Sequence, residues 1–237
     1  MVDYWRQLDV FSPEKFGDKP VHFIGGGATG SFASFITADF FMPLLAAKMG
    51  VPKIHVWDYD TVEDHNVPNQ IMGPGDVNEK SPVPKVDALR EHILRLTGIE
   101  IVAHNKRVTG GTELSGIVFL LVDSMDVRKE IWDGAIKMNP NVDLMVETRM
   151  AIDGGYIYTI KPTDLDDVRF WEAAWYPDSE AEESPCTSRA ISPTVAMIAA
   201  HAVWKLIKFA NGLEYQRELL ISAQPAAIYG SEMLARK

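Results

Sequence analysis

A glycine-rich turn near the start of the chain has the composition of a phosphate-binding loop. Residues 25–30 have the sequence Gly-Gly-Gly-Ala-Thr-Gly, between an apolar run at residues 21–24 and a helix-like segment. A glycine turn between a strand and a helix lets backbone N–H groups approach a phosphate, and the positive helix end favours its charge. The sequence therefore predicts that Gly25, Gly27 and Gly30 line a nucleotide site.

Two carboxylates follow the second apolar run, residues 53–57. They are Asp58 and Asp60. A carboxylate at the tip of the strand after a glycine turn can accept the ribose hydroxyls of a nucleotide. We favour Asp58 for this role, because it ends the strand directly. The glycines alone fit NAD or a flavin as well as ATP, and both carboxylates also fit solvated strand ends.

Strands and helices alternate along the chain, which predicts the layers that position these residues. Such alternation favours a Rossmann-like α/β fold, a mostly parallel sheet with helices on both faces. An antiparallel extension is expected after the turn at residues 153–155. The predicted strands are residues 21–24, 53–57, 99–103, 117–122, 142–146 and 156–160, and the predicted helices are residues 30–41, 44–49, 85–97, 126–138 and 194–210. Pro43 is the reason for splitting the first helix, since proline cannot continue a helix without a kink.

The chain length is suited to a single domain. Its 237 residues can bury one sizeable core. Residues 1–20 are predicted to form an N-terminal arm. Residues 162–190 break the alternating pattern and are predicted to form a crossover loop region. Ser192 is expected to cap the last helix, with Pro193 at its first position.

Composition excludes several classes of protein. A net charge of −10 disfavours a nucleic-acid-binding protein that works through bulk charge. We find no apolar run long enough to span a membrane and no signal core, so we expect a cytoplasmic protein without membrane contact. Cys186 is the single cysteine, which rules out an intramolecular disulfide and a multi-cysteine zinc site.

The residues after the second predicted strand resemble a known family. The pattern is Asp58-x-Asp60-x-Val62-Glu63-x-x-Asn66-Val67-x-x-Gln70, then Asp76-Val77 and Pro84-Lys85, and later Asp123-x-x-Asp126. As an ordered set it resembles the ubiquitin-activating-like adenylyltransferases, whose bacterial members include ThiF, MoeB and HesA. The resemblance extends from about Arg6 to Gly212.

The resemblance implies an ATP- and Mg²⁺-dependent enzyme. Its substrate would be the C-terminal carboxylate of a small ubiquitin-like or sulfur-carrier protein ending in glycine, or of a peptide. The enzyme would convert that carboxylate into an acyl-adenylate. The resemblance assigns Lys85 to the phosphates, Asp126 to Mg²⁺, Asn66 and Gln70 to the phosphate side, and Asp58 or Asp60 to the ribose. Catalysis would rest on positioning and electrostatics. Lys85 also fits an ordinary surface lysine, and Asp126 a helix N-cap.

Two further roles come from the resemblance. Arg6 is similar to an arginine that, in dimeric relatives, reaches the neighbouring subunit's ATP site, which implies a homodimer. Cys186 lies where relatives that form a covalent intermediate place their cysteine, so the activated carboxylate would pass to it. Arg189 is near enough in sequence to favour a thiolate. The plain alternatives are a surface charge at Arg6 and an inert thiol at Cys186.

The sequence also departs from the family pattern. Asn69 stands where the family usually has arginine, and Val127 where it usually has asparagine. The two Cys-x-x-Cys pairs of many members are missing. These departures favour a second hypothesis, a dimeric nucleotide-binding scaffold with weakened catalysis. A third hypothesis is an NAD-dependent oxidoreductase, which requires a hydride-transfer residue set that we do not find.

Overall fold

A single mixed sheet organises the chain. The computed structural model describes residues 16–180 and 191–230. The strands are β1 (Val21–Ile24), β2 (Ile54–Asp58), β3 (Val102–Asn105), β4 (Gly116–Leu120), β5 (Val142–Met150), β6 (Gly154–Ile160), β7 (Glu218–Ala223) and β8 (Ala226–Gly230). The α-helices are α1 (Ala28–Ala46), α2 (Lys85–Thr97), α3 (Met125–Ile131), α4 (Leu165–Ala174) and α5 (Ser192–Ala210).

The order of the strands creates a place for a ligand. The sheet order is β3-β2-β1-β4-β5-β6-β7-β8, with β1 to β5 parallel and β6 to β8 antiparallel. The chain builds outward from β1 to β3 and then returns to β4 on the other side of β1. Open α/β sheets bind ligands at the carboxyl ends of the strands where the order reverses in this way. The predicted fold class is therefore confirmed.

Both faces of the sheet are covered by apolar layers. Alternate residues of β1 point to opposite faces, so Phe23 joins one core cluster and Ile24 the other. Helices α1, α2 and α5 contribute to the first cluster, with Phe41 and Leu206 among its buried side chains. The second cluster includes Trp171 of α4. These layers fix the strand ends that carry the site.

Helix α1 is continuous, so the predicted split at Pro43 is wrong. The helix runs from Ala28 to Ala46 with Pro43 inside its last turn. Proline removes one backbone N–H donor there, and the burial of Phe41, Pro43 and Leu44 in the core offsets that loss.

We expected no apolar run long enough to span a membrane. That expectation is wrong, because one helix has the length and the apolar composition of a membrane span. Among the described residues, α1 is the one helix that meets those two criteria. In the fold, 56% of its most apolar window is buried. The helix packs against α2, α5 and β1, and it therefore serves as a core helix here.

Other differences arise where sequence patterns were weak. Helix α4 lies within the predicted crossover loop region, and Asp164 caps it by accepting the N–H groups of Asp166 and Asp167. The last helix is capped at Ile191, one residue before the expected Ser192. Strand β3 begins three residues later than predicted, and β7 and β8 were not predicted.

Candidate active site

The glycine turn is tight on one side and open on the other. Gly25 has a φ of +103°, and a Cβ there would lie 2.9 Å from the carbonyl oxygen of Leu121. A Cβ on Gly30 would lie 1.8 Å from the Gly25 carbonyl oxygen, whereas one on Gly27 would meet nothing within 4 Å. Gly25 and Gly30 are thus needed for close packing, and space is open above Gly27.

The start of α1 is suited to an anion. Helix α1 begins after Gly27 with no acidic residue in its first turn, and no side chain of residues 16–180 or 191–230 caps it. The first N–H groups of a helix lack intrahelical acceptors, and the helix dipole adds positive potential. The predicted phosphate site therefore has a suitable chemical environment.

Asp58 joins the glycine turn to the loop after β2. Its carboxylate accepts the backbone N–H of Gly26 at 2.7 Å and that of Asp60 at 2.8 Å. Burial raises the pKa of Asp58, although both N–H groups and the charge of Lys85 act in the opposite direction. A carboxylate held in this way has a fixed position beside the open side of the turn.

Lys85 lies at the same edge of the sheet. Its ammonium contacts the Asp60 carboxylate at 3.0 Å, and its backbone N–H donates to the Asp60 carbonyl at 2.9 Å. Only 10% of the Lys85 side chain is exposed. The plain interpretation of Lys85 as an ordinary surface lysine does not fit this burial.

Asn66 lies within a short 3-10 helix, Asp64–Asn69, and Gln70 directly follows that helix. Asn66 is buried, and its side-chain oxygen accepts the N–H of Glu63 at 2.9 Å, so part of its role is structural. The Oε1 atom of Gln70 is buried and has no hydrogen-bond partner among the described residues. A buried polar atom without a partner is costly, and a bound ligand would relieve that cost.

The loop after β4 brings two carboxylates to the site. Leu121 donates its N–H to the carbonyl of Ile24 at 2.8 Å, so this loop begins beside the glycine turn. Asp123 and Asp126 follow, and both are exposed. Within residues 16–180 and 191–230, no cluster of three or more His, Cys, Asp or Glu side chains is arranged to hold a metal. A single carboxylate such as Asp126 fits Mg²⁺, which takes one or two carboxylates plus phosphate oxygens and waters.

Helix α3 follows the loop, and its N-cap is not Asp126, the residue considered for that role from the sequence. Ser124 caps α3 by accepting the N–H of Val127 at 3.1 Å. Asp126 lies within the first turn instead. Its carboxylate therefore does not serve as the cap.

A buried ion network lies behind this loop, and the sequence analysis missed it. Arg128 and Arg149 both pair with Glu147, which is fully buried, and Trp171 donates its indole N–H to the same carboxylate. Burial alone would raise the pKa of Glu147, but the two guanidinium charges outweigh it and lower that pKa. One feature of the sequence could have indicated this network: Glu147 and Arg149 are charged residues at alternate positions of a mostly apolar strand.

The network holds the loop after β4. The Nε of Arg128 donates to the carbonyl of Val122 at 2.7 Å, just before Asp123. On the other side, the indole of Trp175 donates to the Met125 carbonyl at 2.9 Å. The loop that carries Asp123 and the start of α3, which carries Asp126, are therefore fixed from two directions.

Asp178 adds a further connection to the same loop. Its carboxylate accepts the Ser124 hydroxyl and the Met125 N–H, each at 2.6 Å, and these bonds lower its pKa. Cys186, Arg189 and Arg6 lie outside the described residues, so their predicted roles stay predictions.

Solved structures share this fold. Escherichia coli MccB with succinimide has a TM-score of 0.69 at 15% identity, and the match covers 98% of this chain and 72% of that one. Selenomethionine PaaA has a TM-score of 0.64 at 15% identity, with 93% and 65% covered. E. coli MccB with ATP has a TM-score of 0.66 at 15% identity, with 93% and 64% covered.

This chain covers only part of each of these solved structures. Apart from the succinimide complex, this chain spans slightly less than two thirds of the length of the chains just described. No curated protein matches the sequence. A family model described as the ThiF family matches residues 13–231. Because that match takes in most of the sequence, the chain belongs to the ThiF family.

Proposed function

We propose that this chain is an ATP-dependent adenylyltransferase. It would activate the C-terminal carboxylate of a small ubiquitin-like or sulfur-carrier protein, or of a peptide. The observation that carries the proposal is the meeting of the glycine turn, the Asp58, Asp60 and Lys85 group and the loop after β4 where the strand order reverses. Membership of the ThiF family supports this reaction class. MccB structures solved with ATP and with MccA support a nucleotide beside a second ligand.

The site residues fit ATP. The open space at Gly27 and the uncapped start of α1 suit its phosphates. Asp58 suits the ribose better than Asp60, because Asp60 is already paired with Lys85. The amide of Gln70 has an unmet polar atom. Because an amide end can present either oxygen or nitrogen, Gln70 can accept from a hydroxyl or donate to a phosphate.

The protein's part in the chemistry is electrostatic. Bound ATP would supply the adenylyl group, and Mg²⁺ held by Asp126 would neutralise part of the phosphate charge. Lys85, held with little freedom by Asp60, contributes a fixed positive charge near the phosphates. A preorganised charge of this kind stabilises the negative charge that develops as pyrophosphate leaves. Asp126, in the first turn of α3 next to the loop that Arg128 anchors, would hold Mg²⁺.

The remaining parts of the proposal come from the resemblance. The activated carboxylate would pass to Cys186, and Arg6 would complete the ATP site of a second subunit in a homodimer. Both residues precede or follow the segments on which the site geometry rests. Because Arg6 would complete the ATP site and Cys186 would receive the adenylated carboxylate, both roles are tested together with adenylation.

ATP–pyrophosphate exchange tests the proposal. The assay uses a small acceptor protein that ends in glycine, with Lys85→Met compared with Lys80→Met, an exposed lysine of the loop between β2 and α2. Loss of one transition-state contact typically lowers rates by about 100- to 1,000-fold. We expect that loss for Lys85→Met and no change for Lys80→Met. Equal exchange in the two variants would remove Lys85 from the site.

The same assay decides which carboxylate holds the metal. Asp126→Asn is compared with Asp123→Asn across a Mg²⁺ titration. We expect Asp126→Asn to need more Mg²⁺ for half-maximal exchange. An unchanged requirement in that variant, with a raised one in Asp123→Asn, would move the ligand to Asp123.

A scaffold with weakened catalysis is the second candidate function. Asn69 in place of the usual arginine favours it, since one charge near the phosphates is missing. The scaffold hypothesis predicts ATP binding without exchange for the wild type with any acceptor. The adenylation hypothesis predicts ATP binding together with ATP–pyrophosphate exchange.

A further inference from the structure

A small cleft lies between α5 and β7. His201, Trp204, Lys205 and Lys208 of α5 line it together with Gln216 and Leu219. Its volume is about 250 Å³. None of these residues belongs to the adenylation site described above.

Lys205 is the unusual residue of this cleft. It is only 2% exposed, and its ammonium donates to the Gln216 carbonyl at 3.2 Å. In the part of the chain that the structure describes, no carboxylate forms an ion pair with Lys205 or Lys208. A buried ammonium without a counter-charge is destabilising.

Lys205 nevertheless carries its charge at neutral pH. Burial lowers its pKa to about 8, and the neighbouring charge of Lys208 acts in the same direction. At pH 7 most molecules therefore hold a protonated Lys205 that has donors to spare, since an ammonium carries three N–H groups. An anion in the cleft would accept them.

The remaining lining residues define the ligand further. Trp204 is half exposed and Leu219 is buried, so the cleft offers apolar surface beside its cations. Clefts for drug-sized ligands measure about 300–1,000 Å³. The smaller volume here suits one anionic group with a short apolar body.

We propose that this cleft binds a small organic anion, a carboxylate or a phosphate, through Lys205 and Lys208 with its apolar part against Trp204. The site is separate from the nucleotide site and independent of the proposed adenylation. It gives the buried charge of Lys205 the partner that it lacks within the described chain.

Thermal stability in the presence of benzoate, phenyl phosphate or inorganic phosphate tests this proposal. Each anion is titrated against the wild type, Lys205→Met and the exposed-lysine control Lys53→Met. All three are also prepared with Lys85→Met, which removes the lysine contact to phosphate at the nucleotide site, and the comparison of Lys205→Met with Lys53→Met subtracts any phosphate that still binds there. A ligand that binds only the folded state raises the melting temperature by mass action.

The proposal makes two connected predictions for this experiment. Without an anion, Lys205→Met should melt at or above the temperature of Lys53→Met, because methionine removes an unpaired buried charge. With an anion, the control should be stabilised, whereas Lys205→Met should show at least tenfold weaker apparent affinity. A response to benzoate alone identifies a carboxylate ligand, and a response to the phosphates alone identifies a phosphate.

Other outcomes overturn the proposal. Equal stabilisation of Lys205→Met and Lys53→Met would place the anion elsewhere, and no stabilisation by any of the three anions would leave the cleft without a ligand of this class. If Lys205→Met does not fold, Lys208→Met replaces it, and we expect its apparent affinity for the anion to be weaker than that of Lys53→Met. Neither outcome bears on the adenylation proposal, whose residues are different.

Discussion

Replacing Glu147 with glutamine tests the buried ion network most sharply. The Glu147 carboxylate is completely buried and accepts from Arg128, Arg149 and Trp171. Glu147→Gln keeps the shape of the side chain, but it removes the negative charge and turns one acceptor oxygen into an NH₂ group. Two largely buried guanidinium groups then lose their counter-charge.

The size of the effect follows from that burial. The Arg128 and Arg149 side chains are 7% and 10% exposed. Breaking a buried ion pair by removing one partner costs about 3–5 kcal/mol. For a chain of this size, each kcal/mol shifts the melting temperature by about 2–4 °C. We therefore expect a decrease of about 6–20 °C.

Glu172 provides a matched control. It also pairs with a cation, Lys137, and accepts from an indole, that of Trp132, but 31% of its side chain is exposed. A surface pair contributes about 0–1 kcal/mol, so Glu172→Gln should change stability little. Chemical denaturation of both variants measures the difference. A loss for Glu147→Gln as small as that for Glu172→Gln would refute the reasoning.

Two other predictions concern pH and Cys186. Burial, together with the charges of His55 and His104, lowers the pKa of His22 to about 4. Between pH 6.5 and 4 the unfolded state therefore binds more protons than the folded state. The free energy of unfolding falls as the pH falls through that range. By pH 5 the loss of folding free energy amounts to about 2 kcal/mol. Chemical denaturation at pH 7 and pH 5 should therefore show a smaller loss of stability in His22→Asn than in the wild type. An equal loss in both would contradict the assignment of the low pKa to His22. For Cys186, we expect a thioester with the acceptor protein, formed as AMP leaves the acyl-adenylate, that is cleaved by an excess of added thiol and is missing in Cys186→Ala. Full turnover by Cys186→Ala would instead make the thiol inert.

Much of the fold was predictable because its signals are local. The apolar run at β4, the helical spacing of α2 and the glycine turn each indicate one element, and their alternation indicates the parallel sheet. The acidic composition around α4 concealed a helix that Asp164 caps. Pro43 suggested a break, but a proline in the last turn of a buried helix costs less than the packing gained.

The site was predictable to a lesser degree. Asp58 and Asp60 were predicted because they follow a strand, and Lys85 because of its place in the family pattern; the fold connects the three residues. The Arg128 and Glu147 network depends on contacts between residues 19 positions apart. No periodic pattern marks such a pairing, and only the tertiary fold shows it.

Thermal stability with ATP and Mg²⁺, compared with NAD, tests the central claim most directly. Ligand at 100 times its dissociation constant adds about 2.7 kcal/mol to the stability of the folded state, which corresponds to a rise of about 5–10 °C. We predict that rise with ATP and Mg²⁺, no rise with NAD, and a smaller rise in Lys85→Met than in Lys80→Met. A rise with NAD alone, or an equal ATP response in the two variants, would contradict the account.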